Sequence, residues 1–119
     1  MWLITTDGFY SVVQKRGEER LSVRARVGAD LDRLRERYMP ALSKTLETPE
    51  GDYRYRAWIS RDELAEGLAR VARDVTYSNF KDEVGRKDPE RERAYHDVWE
   101  VLGRLQPGGP YGLGGAGGA

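Results

Sequence analysis

Residues 53–81 read YRYRAWIS (53–60), RDELAEGLARVARD (61–74) and VTYSNFK (75–81). Along Tyr53–Ile59 the period is two. Tyr53, Tyr55, Ala57 and Ile59 fall on one side and Arg54, Arg56 and Trp58 on the other, the signature of a half-buried strand. Ser60 then stands where an N-cap belongs, and Glu63 three residues on completes a capping box, so the first amides of the next segment have side-chain acceptors. Leu64, Ala65, Leu68, Val71, Ala72 and Val75 recur at helical spacing, with Glu66, Arg70 and Arg73 toward water. A strand entering a capped, one-sided helix calls for a sheet with helices laid against it.

The flanking sequence fits that frame. Trp2–Thr6 and Phe9–Lys15 are β-prone runs around Asp7-Gly8, a dipeptide that readily supplies the two positive-φ residues of a tight hairpin turn. In Leu21–Val27, Leu21, Val23, Ala25 and Val27 alternate with Ser22, Arg24 and Arg26, which predicts a third strand. Gly28 breaks it, and a short helix begins near Asp30, carries Leu31, Leu34 and Tyr38 on one face and stops before Pro40. Leu42–Thr48 reads as a further strand, returned through the turn Pro49-Glu50-Gly51-Asp52 into Tyr53. Asn79 is placed to cap a helical turn holding Phe80 and Val84 and ending near Gly85. Asp88-Pro89-Glu90 starts a final helix to about Leu105, with Tyr95, Val98, Trp99, Leu102 and Leu105 along one stripe.

The expectation is an α+β fold: an antiparallel sheet of four to five strands, two helices on one face in two ββα units, and a C-terminal helix closing an edge or the open face. Residues 23–38 and 55–71 both run from an arginine-bearing strand through an acid-leucine pair into an amphipathic helix, an echo that shared secondary structure alone can produce. Of the 119 residues, 1–106 are expected to form a single domain, and 107–119, mostly glycine, a flexible tail.

Composition excludes more than it selects. Twenty basic and twenty acidic residues cancel, so no net field draws the whole molecule to nucleic acid or an anionic membrane, and an electrostatic partner must meet a local patch. With no cysteine in the chain, disulfide frameworks, thiol nucleophiles and thiolate metal sites are all ruled out. The apolar start Trp2-Leu3-Ile4 reaches Asp7 and Gly8 at once, too short for a signal peptide or membrane span. A cytoplasmic protein without a cofactor is the expectation.

Two clusters are candidate sites. With helices on one face of the sheet, the other carries Arg24, Arg26, Arg54, Arg56 and Trp58. Guanidinium groups beside an aromatic ring suit a protein interface, including that of a homodimer. They suit single-stranded nucleic acid as well, through phosphate contact and base stacking, and they also suit an ordinary solvated face paired to acids such as Glu47. The loop with Tyr77, Asn79 and Lys81 is the second cluster; Tyr77 and Lys81 could hold an anion or flank a transferred group, whereas Phe80 as a core anchor and Asn79 as a cap serve structure alone. His96 is the only histidine, which excludes a multi-histidine metal site but leaves a lone general base. Three functions stay open: a non-enzymatic binding or protein-interaction module that can self-associate through the Arg/Trp face, a single-stranded nucleic-acid binder on the same face, and a small enzyme built from Tyr77, Lys81 and His96. The partner is then an unknown protein or a second copy, or else nucleic acid, and no membrane is expected.

MWLITTDGFYSVVQK (1–15), VRAR (23–26), DYRYRAWIS (52–60), TYSNFKDEV (76–84) and AYHDVW (94–99) together resemble a family of small uncharacterised bacterial proteins. The resemblance implies a bacterial cytosolic domain and brings no catalytic or ligand-binding residue with it.

Overall fold

The computed structural model describes residues 1–108; residues 109–119, most of the expected glycine-rich tail, lie outside the described residues. Two compact units divide the chain, one spanning Met1–Thr76 and one beginning at Tyr77. The first holds β1 (Trp2–Ile4), β2 (Phe9–Val13), β3 (Leu21–Ala25), α1 (Gly28–Arg37), β4 (Leu46–Glu47), β5 (Tyr55–Ile59) and α2 (Arg61–Arg73), and the second holds α3 (Phe80–Lys87) and α4 (Pro89–Gly103). The fold is α+β, with a five-stranded antiparallel sheet in the order β1-β2-β3-β5-β4.

Register fixes which side chains share a face. Leu21 lies opposite Ile59, Val23 opposite Ala57 and Ala25 opposite Tyr55; Val12 lies opposite Val23 and Leu3 opposite Tyr10. These residues meet Leu31 and Leu34 of α1 and Leu64 of α2, with Tyr38, Met39 and Leu42, in one hydrophobic core. Burial of this set supplies the main drive to fold. α2 approaches closely because Gly67 has no side chain: a Cβ there would collide with the buried Met39. Ser60 caps α2 as its spacing from Glu63 implies, its hydroxyl accepting from the Glu63 amide at 3.2 Å and donating to the Glu63 carboxylate at 2.8 Å, so that the carboxylate reaches back to the cap through the hydroxyl.

Three local features of the first unit differ from the sequence expectation. The hairpin between β1 and β2 turns through residues 5–8 without a positive φ at Asp7 or Gly8; Thr5 Oγ1 accepts from the amides of Asp7 and Gly8 at 3.2 and 3.1 Å. Gly8 is required by close approach instead, since a Cβ would stand 2.6 Å from the Tyr10 hydroxyl and 2.7 Å from Asp30 Cγ. Asp30 stands in the first turn of α1, near the helix start as expected, and is buried there, accepting from the Phe9 amide at 3.1 Å and pairing with Arg33, so that α1 grips the hairpin. The strand expected over 42–48 shrinks to β4, because Leu42 enters the core and the carbonyls of Leu42 and Ser43 are taken by Arg35.

The third difference is Tyr53. It falls before β5, in a bent segment, and its ring packs at 6.2 Å from Phe9 and beneath the guanidinium groups of Arg24 and Arg26 at 4.6 and 4.8 Å. Phe9 and Arg24 belong to the face away from α1 and α2 by register, so Tyr53 sits opposite Tyr55 rather than beside it. The bend, held by Thr48 Oγ1 donating to the carbonyl of Tyr53 at 3.0 Å, breaks the alternation that strand periodicity extrapolates through it.

In the second unit Asn79 caps α3, accepting from the Asp82 amide at 2.9 Å, and Asp88 caps α4 from the Arg91 amide at 3.1 Å with Pro89 opening the helix. α3 extends past Gly85 to Lys87, one turn beyond the expected stop. Val84 and Tyr95 are buried, and Tyr95 stacks on Phe80 at 5.7 Å. No helix among the described residues is long and apolar enough to cross a membrane.

Candidate functional site: an arginine and aromatic sheet face

The face away from α1 and α2 receives Trp2, Ile4, Phe9 and Ser11 from the first hairpin, Ser22 and Arg24 from β3, and Arg56 and Trp58 from β5. Arg24 and Arg56 are direct cross-strand neighbours, a like-charge juxtaposition that must be relieved. It is relieved from within the chain. Arg24 donates to Ser11 Oγ at 2.6 Å and lies on the Tyr53 ring, with its Nε buried and without a partner among the described residues. Arg56 donates to Thr48 Oγ1 at 3.2 Å and faces the Asp52 carboxylate at 3.5 Å. Arg26 takes the other contact on Tyr53 and donates to the Asp52 carbonyl at 3.4 Å. Arg54 is engaged at the edge by Glu47 at 2.8 Å, which raises its pKa further through that hydrogen bond.

The aromatic groups are less enclosed. Trp2 meets Phe9 edge-on at 5.4 Å and keeps 63 % of its surface exposed. Trp58 is half-buried at the far end of the face, with the Arg20 guanidinium 6.0 Å from its ring and Glu18 and Glu19 lining a shallow cavity beside it. The structure therefore gathers Arg24, Arg26 and Arg56 about Tyr53 and Asp52, with Trp58 and Arg54 at the margins.

The second cluster is dispersed into structural duties. Asn79 caps α3, and Tyr77 packs on Phe80 at 6.2 Å. Lys81 does meet His96: its Nζ lies 3.2 Å from Nδ1 and 4.1 Å from the Trp99 ring. His96 Nε2 is 3.2 Å from Glu100, and the imidazole stacks on Trp99 at 5.4 Å. With Lys81 at one ring nitrogen and Glu100 at the other, this exposed imidazole is engaged on both sides. Among the described residues no group of three or more His, Asp or Glu is arranged to hold a metal ion.

No family model, curated protein or solved structure matches the chain.

Sequence reasoning missed Trp2, Phe9, Ser11 and Arg20 as members of the sheet face, and Glu100 and Lys81 as the groups at the two ring nitrogens of His96. The first three were within reach, since the alternation of Trp2, Ile4, Phe9 and Ser11 across an antiparallel hairpin puts them on one side. Trp99 and Glu100 share the helix turn of His96, but the approach of Lys81 from α3 has no sequence signal.

Proposed function

We propose that the protein is a non-enzymatic cytoplasmic binding module that recognises another protein through the arginine and aromatic face of its sheet. One observation carries the reading: the arginines of that face are taken up by Tyr53, Ser11, Asp52 and Glu47 inside the same chain, while Trp2 on the same face is 63 % exposed. Guanidinium groups committed to rings and carboxylates are poorly placed to release counterions from a phosphate backbone. An arginine-braced, partly exposed tryptophan is the kind of anchor that dominates protein interfaces. A chain without cysteine accords with a reducing compartment.

The test uses full-length protein and the Trp2→Ala/Trp58→Ala variant as baits, with far-UV circular dichroism showing that both fold. The wild type is expected to retain a partner that survives nuclease treatment, and the variant to lose it. Anisotropy with fluorescent single-stranded RNA and DNA is run beside it. Binding whose affinity falls by about 0.7 log units per decade of salt for each phosphate contacted, and which Arg24→Ala/Arg56→Ala abolishes, would replace the protein-interface reading with the nucleic-acid one.

A further inference from the structure

The two edges of the sheet are finished differently. β4, at one end of the strand order, is two residues long, carries the Glu47–Arg54 ion pair at 2.8 Å and is followed by Pro49. Shortness, charge and proline are the usual guards against pairing with another chain. β1, at the other end, has neither charge nor proline in any side chain from Met1 to Thr6. Its inward groups are known from their bonds to the neighbouring strand. Met1 and Val12 exchange two hydrogen bonds of 2.8 Å, and the Thr5 amide donates to the Gly8 carbonyl at 2.9 Å. An antiparallel ladder alternates, so the N–H and C=O groups of Trp2 and Ile4 point out of the sheet, where no strand of the described residues meets them.

We infer that β1 is a strand-addition surface and that it takes β1 of a second copy, antiparallel about a two-fold axis at Leu3. A row of outward backbone donors and acceptors selects an extended strand as its occupant. The symmetry of this row selects a second copy. Trp2 and Ile4 stand equally far from Leu3, so one rotation sets Trp2 against Ile4 of the second copy and Ile4 against its Trp2, which makes four hydrogen bonds and leaves none of these groups over. The side chains match on both faces of the joint. Toward α1 and α2, Leu3, already packed against the hydrophobic core, meets its own symmetry mate. On the other face Trp2, exposed in the single chain, lies beside Ile4 of the second copy, an aromatic and β-branched cross-strand pair. A strand of three residues keeps the joint below the roughly 1,200 Å² of a standard stable interface, so the dimer is reversible and concentration-dependent. The inference goes beyond the reading of the sheet face, because it uses the rim of the sheet and none of the arginines.

Sedimentation velocity on the full chain, from micromolar to millimolar concentration, is expected to show the wild type passing reversibly from monomer to dimer. Ile4→Pro removes an outward N–H that the chain's own ladder does not use. Its circular dichroism should match wild type while the dissociation constant rises by at least about tenfold, through the two hydrogen bonds lost. Register is read separately with cysteine, since the chain has none of its own. Leu3 faces its mate across a non-hydrogen-bonded pair, close enough for a disulfide, whereas Ile4 faces Trp2. Leu3→Cys is therefore expected to cross-link the dimer under mild oxidation and Ile4→Cys to stay unlinked, a comparison that decides even where Ile4→Pro disturbs folding. A monomer at every concentration would overturn the inference. So would a dimer that folded Ile4→Pro leaves intact, or one that Ile4→Cys links and Leu3→Cys does not. If Trp58→Ala dissolves the dimer and Ile4→Pro does not, self-association belongs to the sheet face: the inference fails and the reading of that face survives.

Discussion

Tyr53 holds two guanidinium groups and the Phe9 ring together on one side of the sheet. Removing the ring strips Arg24 and Arg26 of the aromatic surface they share and leaves Arg24 with Ser11 alone. Tyr53→Ala is expected to cost about 3 kcal/mol, whereas Tyr53→Phe, which keeps the ring, stays within about 0.5 kcal/mol; urea midpoints measure both. The position of Tyr53 was hidden in the sequence, because the alternation YRYRAWI is continuous on paper and only the bend at residues 51–54 breaks it. Tyr38 offers a test in alkali. Burial, then the hydrogen bond it donates to Asp74 at 2.7 Å, push its phenol from 10.0 to about 12, against the opposing pull of Arg37. The folded state therefore holds this proton more tightly than the unfolded one, and the stabilisation is complete below about pH 10 and lost as pH rises toward about 12. Thermal melts across that window should fall for the wild type and flatten for Tyr38→Phe.

Secondary elements were most legible where their ends carry chemistry. Ser60 with Glu63, Asn79, and Asp88 with Pro89 all cap the helices their spacing announces. Ser60→Ala should lower stability by about 1 kcal/mol in a denaturant titration, since it removes the acceptor of the Glu63 amide. Legibility failed where tertiary demand overrode local pattern. Leu42 is β-prone in sequence yet is spent in the core, which leaves β4 two residues long. Gly8 and Asp30 do lie in the turn and at the helix start that the sequence assigns them, but their relation, a glycine cleared to let a buried carboxylate reach the Phe9 amide, joins positions far apart in sequence and leaves no local signal. The stripe of α4 was legible as a stripe, but not that its last two turns are exposed.

For the molecule as a whole, every member of the main hydrophobic core lies within Met1–Thr76. A chain ending at Thr76 is thus expected to unfold cooperatively by itself, keeping a near-ultraviolet signal from its own packed aromatic residues; domains of about 60 residues already manage this with less core. The α+β class followed from the sequence because alternation and caps repeat along the chain. The functional surface did not, since it depends on which guanidinium finds which partner. Strand order has a kinetic consequence. β1, β2 and β3 form a simple meander, and β4 and β5 a hairpin, so each closes through local pairing. The β3–β5 ladder, from Leu21 with Ile59 to Ala25 with Tyr55, is the one junction that must close a long loop, and such closures limit folding rate. Ala57→Gly at this seam should slow refolding in stopped-flow measurements, while Ser11→Ala in the meander should mainly hasten unfolding. Before the seam closes, β3 and β5 both present unpaired edges, so the interval between meander and sheet is the time when this chain is most open to pairing with the wrong strand of another copy.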